Sequence, residues 1–182
     1  MKNENKQTNI EYALKNLERV DKWIANCDTK SSIMLTILCV FLGLTSNIFK
    51  IISIIFDYFS NWQTNLISEN LYAIFLIVIF IIFVANVILS FTYLVKSLTA
   101  SINNNYQSFL HFYSINKNFK DIKSFNSEWE KLTDKKLLEQ INEQVYTNSK
   151  ICSNKFLFYK KSILWIVLSF IFGIICLILV NV

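Results

Sequence analysis

The stretch 70-NLYAIFLIVIFIIFVANVILSFTYLV-95 decides the fold, because its 26 residues carry no charge at all. At about 1.5 Å per residue a helix of that length reaches roughly 30 Å or more, enough to cross the hydrocarbon of a bilayer. Two further runs behave alike. Ser31–Phe49 is free of charge, and so is the final run, residues 162–182. The first run extends through Ile51–Phe56 if Lys50 snorkels its ammonium to the far interface.

Composition agrees with helices in lipid. Of 182 residues 53% are hydrophobic, with 16 Phe, no Pro and 2 Gly. Soluble domains average about 7% Gly and 5% Pro, so a chain this short of turn residues is neither a β-sandwich nor a disordered segment. A secretory leader is not expected, since the polar residues 1–30 precede the first span.

Basic residues set the orientation. Residues 1–30 hold six, residues 50–69 hold one and residues 96–161 hold eleven of the 18 Lys and Arg. With three crossings nearly all of them fall on one side, which the positive-inside rule assigns to the cytoplasm. The sequence therefore predicts an all-α integral membrane protein with three transmembrane helices and a cytoplasmic helical bundle formed by their extensions. Its parts are a cytoplasmic N-terminal helix (1–30), a first span (31–56), an external loop (57–69), a second span (70–95), a cytoplasmic helical region (96–161) and a third span (162–182). The N-terminus lies inside and the C-terminus outside.

The cytoplasmic stretches carry seams. Ile10, Ala13, Leu17, Val20, Ile24 and Cys27 alternate intervals of three and four, as in a coiled coil. Nothing breaks the helix between Cys27 and Ser31. Leu138, Ile141, Val145, Cys152, Phe156 and Tyr159 form a second seam leading into the last span. Between them periodicity fades over 116–136, where a loop is expected. The segment after Val95 is polar but compatible with helix, and the inward extensions should pack as a bundle.

Few residues suggest chemistry. The single histidine, His111, sits among aromatics in FLHFYS, and no phosphate loop, H-E-x-x-H or G-x-S-x-G occurs. An enzyme is not expected. Cys27, Cys39, Cys152 and Cys176 form no C-x-x-C pair, so neither zinc nor a disulfide is expected. Residues 96–161 carry a net charge of +5, which favours anionic lipid or an anionic ligand. No basic stripe interleaved with aromatics points to a nucleic acid polymer.

Inside the spans, Asn86 places an amide in hydrocarbon and needs a partner on another helix or subunit. Cys39, Gly43 and Asn47 recur every fourth residue, as do Ser169 and Gly173, a spacing that permits close helix approach. Asp28 and Lys30 stand within one turn of the first span. A plain anchor needs only the lysine, so the acid beside it points to a defined polar contact, against the plainer reading of an interfacial ion pair.

The run RVDKWIANCDTKSSIMLTILCVFLGL (19–44) resembles the opening of the transmembrane effectors of Pycsar antiphage defence, which pair with pyrimidine cyclases. Their W-I-x-x-x-D-x-K-A/S-x-x-x-L signature is met by Trp23, Ile24, Asp28, Lys30, Ser31 and Leu35. SFLHFYSI (108–115) is similar to the family's aromatic patch at Phe112 and Ile115, while Tyr113 and Ser114 depart from it. In the segment before the last span, Gln140, Ile141, Ile151, Lys155, Phe156 and Lys160 match.

The resemblance implies an inner-membrane effector activated by a cyclic pyrimidine mononucleotide, cyclic CMP or cyclic UMP, that impairs the membrane and aborts infection. It implies no other cofactor. Lipid, the nucleotide and further copies of the chain in a homo-oligomer are the expected partners. On this implication Arg19, Lys30 and Lys155 are candidates to hold the phosphate by charge-assisted bonds, with Asp28 ordering them. Asn86 is the candidate intramembrane switch. A ligand-independent holin-like toxin and a scaffold recruiting a cytoplasmic partner are the alternatives.

Overall fold

A computed structural model of the chain describes residues 2–44, 48–61, 67–99, 109–110 and 112–181. Those residues form helices α1 (Lys2–Leu44), α2 (Ile48–Ser60), α3 (Ile67–Thr99), α4 (Phe112–Asn118), α5 (Ile122–Trp129) and α6 (Asp134–Asn181), with no strand among them. Three helices, α1, α3 and α6, are long and apolar enough to cross a membrane. The chain divides into two compact units, residues 1–28 with 100–156 and residues 29–99 with 157–182.

The second unit is built inside out relative to a soluble domain. Ser31, Ser90, Ser97, Ser162 and Ser169 are fully buried, whereas Ile37, Val40, Phe75, Ile81, Val167 and Ile174 are exposed. Lipid tails give no reward for hiding leucine, so small residues that allow close approach take the helix interfaces and large apolar ones face outward. Paired positions show the topology. Ser31 meets Ser97, Leu38 clusters with Leu94, Phe41 packs on Phe83, Ile51 clusters with Leu76, and Tyr58 packs on Tyr72. The residue number rises along α1 and α2 as it falls along α3, so the two run antiparallel to it. α6 runs parallel to α1, with Leu38 clustered on Ile166 and Phe41 against Phe170.

Several expectations are revised in this unit. The first span, read as one run over 31–56, comprises the end of α1 and a separate helix α2; Asn47 lies outside the described residues. Residues 57–60, read as the start of a loop, continue α2. Cys39 and Gly43 do not mediate close approach within the chain. Both are exposed, and a Cβ on Gly43 would meet nothing within 4 Å. The inward face of α1 instead repeats at Ser31 and Leu38, two turns apart. Ser169 and Gly173 do line a tight interface, where a Cβ on Gly173 would lie 2.6 Å from the Phe41 ring.

In the first unit the seams appear as read. Ala13, Val20 and Cys27 of α1 are buried, with Ile10, Leu17 and Ile24 half-buried beside them. Along α6, Ile141 and Cys152 are buried and Leu138, Val145 and Phe156 are partly so, as is Tyr159, which falls in the second unit. Residues 116–136, expected to be a loop, hold the end of α4, all of α5 and the start of α6. A capping box starts α5. The Ser124 amide donates to the Asp121 carboxylate at 2.7 Å, and the Asp121 amide donates to the Ser124 hydroxyl at 3.3 Å. The helix buries no residue completely, although Ile122, Phe125 and Trp129 recur on one of its faces.

Candidate functional site

Asp21 and Asp28 lie seven residues apart on α1, two turns along one face beside the buried Val20 and Cys27. Asn148 and Lys155 repeat the same interval on α6. The parallel helices bring these positions together in pairs within the first unit. Lys155 Nζ donates to Asp28 Oδ1 at 2.6 Å, and Asn148 Nδ2 donates to Asp21 Oδ1 at 2.7 Å. Gln144 Nε2 extends the second contact by donating to Asn148 Oδ1 at 3.1 Å.

The Lys155–Asp28 pair is lopsided. The lysine side chain is 5% exposed and that of the aspartate 39%. An ammonium is rarely buried this far unless it is paired and hydrogen-bonded. The carboxylate retains access to water, so one side of the pair can be approached by a solute while the other cannot.

Of the four residues singled out for the nucleotide, the structure joins only Asp28 and Lys155. Arg19 belongs to the same unit but is exposed, and no ion pair reaches it among the described residues. Lys30 is exposed and belongs to the second unit. Asn86 is buried, and its Nδ2 donates at 2.7 Å to the Ile82 carbonyl of its own helix rather than to another helix. His111 lies outside the described residues. None of the four cysteines is joined in a disulfide, and among the described residues no three His, Cys, Asp or Glu gather as a metal site.

The sequence reading missed a second feature of the first unit. Phe109, Phe119, Phe125 and Trp129 stack into one cluster, with ring centroids 5.3 to 5.9 Å apart. Against it lies a cavity of about 170 Å³ whose lining includes Phe109, Phe119, Lys131, Lys136 and Gln140. Glu128 stands at its edge, bonded to Lys131 at 2.8 Å. That hydrogen bond and the lysine's charge hold the Glu128 carboxyl below the usual range. The density of aromatic residues between positions 109 and 129, six of them, was its one available signal.

The family comparison covers both units. The family model described as the Pycsar effector protein domain, PycTM, matches residues 12–181. The chain is 32% identical over 194 residues to the Pycsar effector protein GmPycTM of Gulbenkiania mobilis, across 96% of each chain. No solved structure matches it. A match that spans nearly every described residue, on a helical chain built to reside in a membrane, leaves one assignment: this chain belongs to the Pycsar effector protein family, the membrane effectors of an antiviral defence.

Proposed function

We propose that this membrane effector is switched on by a cyclic pyrimidine mononucleotide bound to its first unit, and that the switched state impairs the membrane and aborts infection. The observation that carries the reading is Lys155, an ammonium held in a buried position by a half-exposed carboxylate. A charge-assisted bond made away from water is strong, so the pair is a joint between α1 and α6 that a nucleotide held elsewhere in the same unit can bias. A monoanion bound in the first unit alters the contact between α1 and α6 by favouring one arrangement of that joint.

A ligand moves an equilibrium only through its different affinity for the two states. Both helices continue from the first unit into the second, so a changed α1–α6 contact is passed along covalent helices. Asn86 is the proposed responder: its amide is closed on its own helix in this arrangement and can exchange to a neighbouring helix in another. In this reading residues 1–30 and 96–161 face the cytoplasm, and the assembly is a homo-oligomer.

The test is membrane potential in vesicles or cells carrying the protein, with and without cyclic CMP or cyclic UMP. Depolarisation on adding either nucleotide is expected. Depolarisation without nucleotide identifies a holin-like toxin, and no depolarisation under any condition leaves the scaffold reading.

A further inference from the structure

Resting on the nucleotide reading above, we infer that the cavity beneath Phe109 is the base pocket and that it selects the uracil edge over the cytosine edge. The argument begins with Gln140. The residue is 9% exposed, it lines the cavity, and its Oε1 accepts the Phe109 N–H at 3.1 Å. That bond fixes the amide's orientation, because only the oxygen can accept from a backbone N–H. The Nε2 group has no partner among the described residues. A buried donor without a partner is costly, and in a cavity it selects a ligand that brings an acceptor.

Exposure orders the rest of the lining. Lys131, Lys136 and Glu128 are exposed, Phe109 and Phe119 are half-buried, and Gln140 is buried. Charge therefore stands at the mouth, aromatic wall in the middle and the amide at the floor. Lys131 is bonded to Glu128, while Lys136, which adds a weaker pull on the same carboxylate, makes no ion pair among the described residues and is the second cation at the mouth. A flat ring enters against the phenyl faces while a monoanion remains outside on Lys136. The volume of about 170 Å³ lies below the roughly 300 Å³ at which pockets for drug-sized ligands begin, so one six-membered ring fits and the sugar phosphate remains at the rim. The larger cavity, about 350 Å³ in the second unit beside Asp57, Tyr58 and Tyr72, is lined by a carboxylate and by no basic side chain among the described residues. That is the wrong sign for an anion.

Ring geometry then decides which atom reaches the floor. In a pyrimidine nucleotide N1 carries the sugar, and C4 lies directly across the ring. A base that enters with its sugar at the mouth delivers its 4-substituent to Gln140. In uracil that substituent is a keto oxygen, an acceptor; in cytosine it is an amino group, a second donor. The floor amide satisfies the first and is left facing a donor by the second.

The experiment measures binding of cyclic UMP and cyclic CMP to the full-length protein in nanodiscs by calorimetry. The wild type is expected to bind cyclic UMP about tenfold more tightly, the effect of one unsatisfied buried donor. Gln140→Leu should reduce that preference to less than about twofold. Gln140→Glu presents an acceptor where the Nε2 group was and should shift the ratio toward cyclic CMP; being nearly isosteric, it serves if the leucine variant does not fold. Lys136→Gln, an exposed change, should weaken both nucleotides alike and leave their ratio intact. Equal affinity of the wild type, a preference for cyclic CMP, or a ratio indifferent to both Gln140 variants overturns the inference while the nucleotide reading stands. Binding of neither nucleotide to the wild type overturns both.

Discussion

Removing either half of the Lys155–Asp28 pair should harm the protein unequally. Asp28→Ala strips the carboxylate from an ammonium whose side chain is 5% exposed. Breaking a fully buried pair in this way costs about 3–5 kcal/mol. Because Asp28 itself is 39% exposed, part of its attraction is already screened by water, and roughly 2–3 kcal/mol is the reasoned cost. Lys155→Met keeps the length and most of the apolar volume of the stem and leaves a carboxylate that turns toward solvent. Its cost should be about 1 kcal/mol. The double variant buries no charge and should resemble Lys155→Met, so the effects are strongly non-additive. Stability is read from denaturant unfolding in mixed micelles, with tryptophan fluorescence as the probe. A gap of about 1.4 kcal/mol between the single variants is a tenfold difference in unfolding equilibrium. If Lys155→Met proves as damaging as Asp28→Ala, or if the double variant sums the two, the buried ammonium is not the strained partner and the reasoning fails.

Three further outcomes are expected. Gly173→Ala should destabilise the second unit by about 1–3 kcal/mol, because the new methyl meets the Phe41 ring, itself packed on Phe170 at 4.2 Å between centroids; Gly43→Ala, facing open space, should be neutral or better in the same denaturant-unfolding assay. The Asp121 carboxyl is held below its ordinary value by bonds from the Ser124 amide and hydroxyl, so its folded pKa lies under its unfolded one. The α5 cap therefore contributes fully above the unfolded pKa and is lost as pH falls through the folded one; faster exchange of the Ser124 amide on acidification is the readout, and Asp121→Ala should remove that pH dependence. A reporter fused at Val182 should report the outside and one near Ser124 the cytoplasm; a cytoplasmic signal from Val182 refutes the three-crossing orientation.

The parts of the fold that were legible in the sequence are those set by period and charge. Ala13, Val20, Cys27, Ile141 and Cys152 fall on the buried faces their spacing implies, because a helix repeats the same face every third and fourth residue. Asp28 and Lys155 could be named separately, but nothing in the sequence pairs residues 127 positions apart. That pairing depends on two parallel helices and their stagger. Arg19 drew notice through its charge, and Lys30 through its charge and its place in the signature beside the first span, yet both are exposed. Gln140 belonged to a matched pattern, yet its fixed amide depends on the backbone N–H of Phe109, a tertiary contact with no periodic signature. Cys39 and Gly43 show the converse: small-residue spacing does not say whether that face meets a helix of the same chain.

The buried polar groups of the second unit carry one more consequence. Asn86, Ser90, Ser162 and Ser169 each donate to a carbonyl of their own helix, at Ile82, Val87, Tyr159 and Trp165. A hydrogen bond closed inside one helix does not select a register with the helix beside it. When α3 or α6 slides or turns against its neighbours, none of these four bonds has to break, the exchange proposed for Asn86 being an option rather than a requirement, and no further polar atom is stranded in hydrocarbon, where water could not replace the lost partner. Only side-chain contacts must be rebuilt. These positions act as greased bearings, and shear between packed helices, a recognised mode of conformational change, is the motion such an interior permits at least cost. Where the Ser31 and Ser97 hydroxyls bond to each other at 2.9 Å, and where the Tyr72 hydroxyl of α3 donates to the Leu179 carbonyl of α6, the same motion has a stitch to undo.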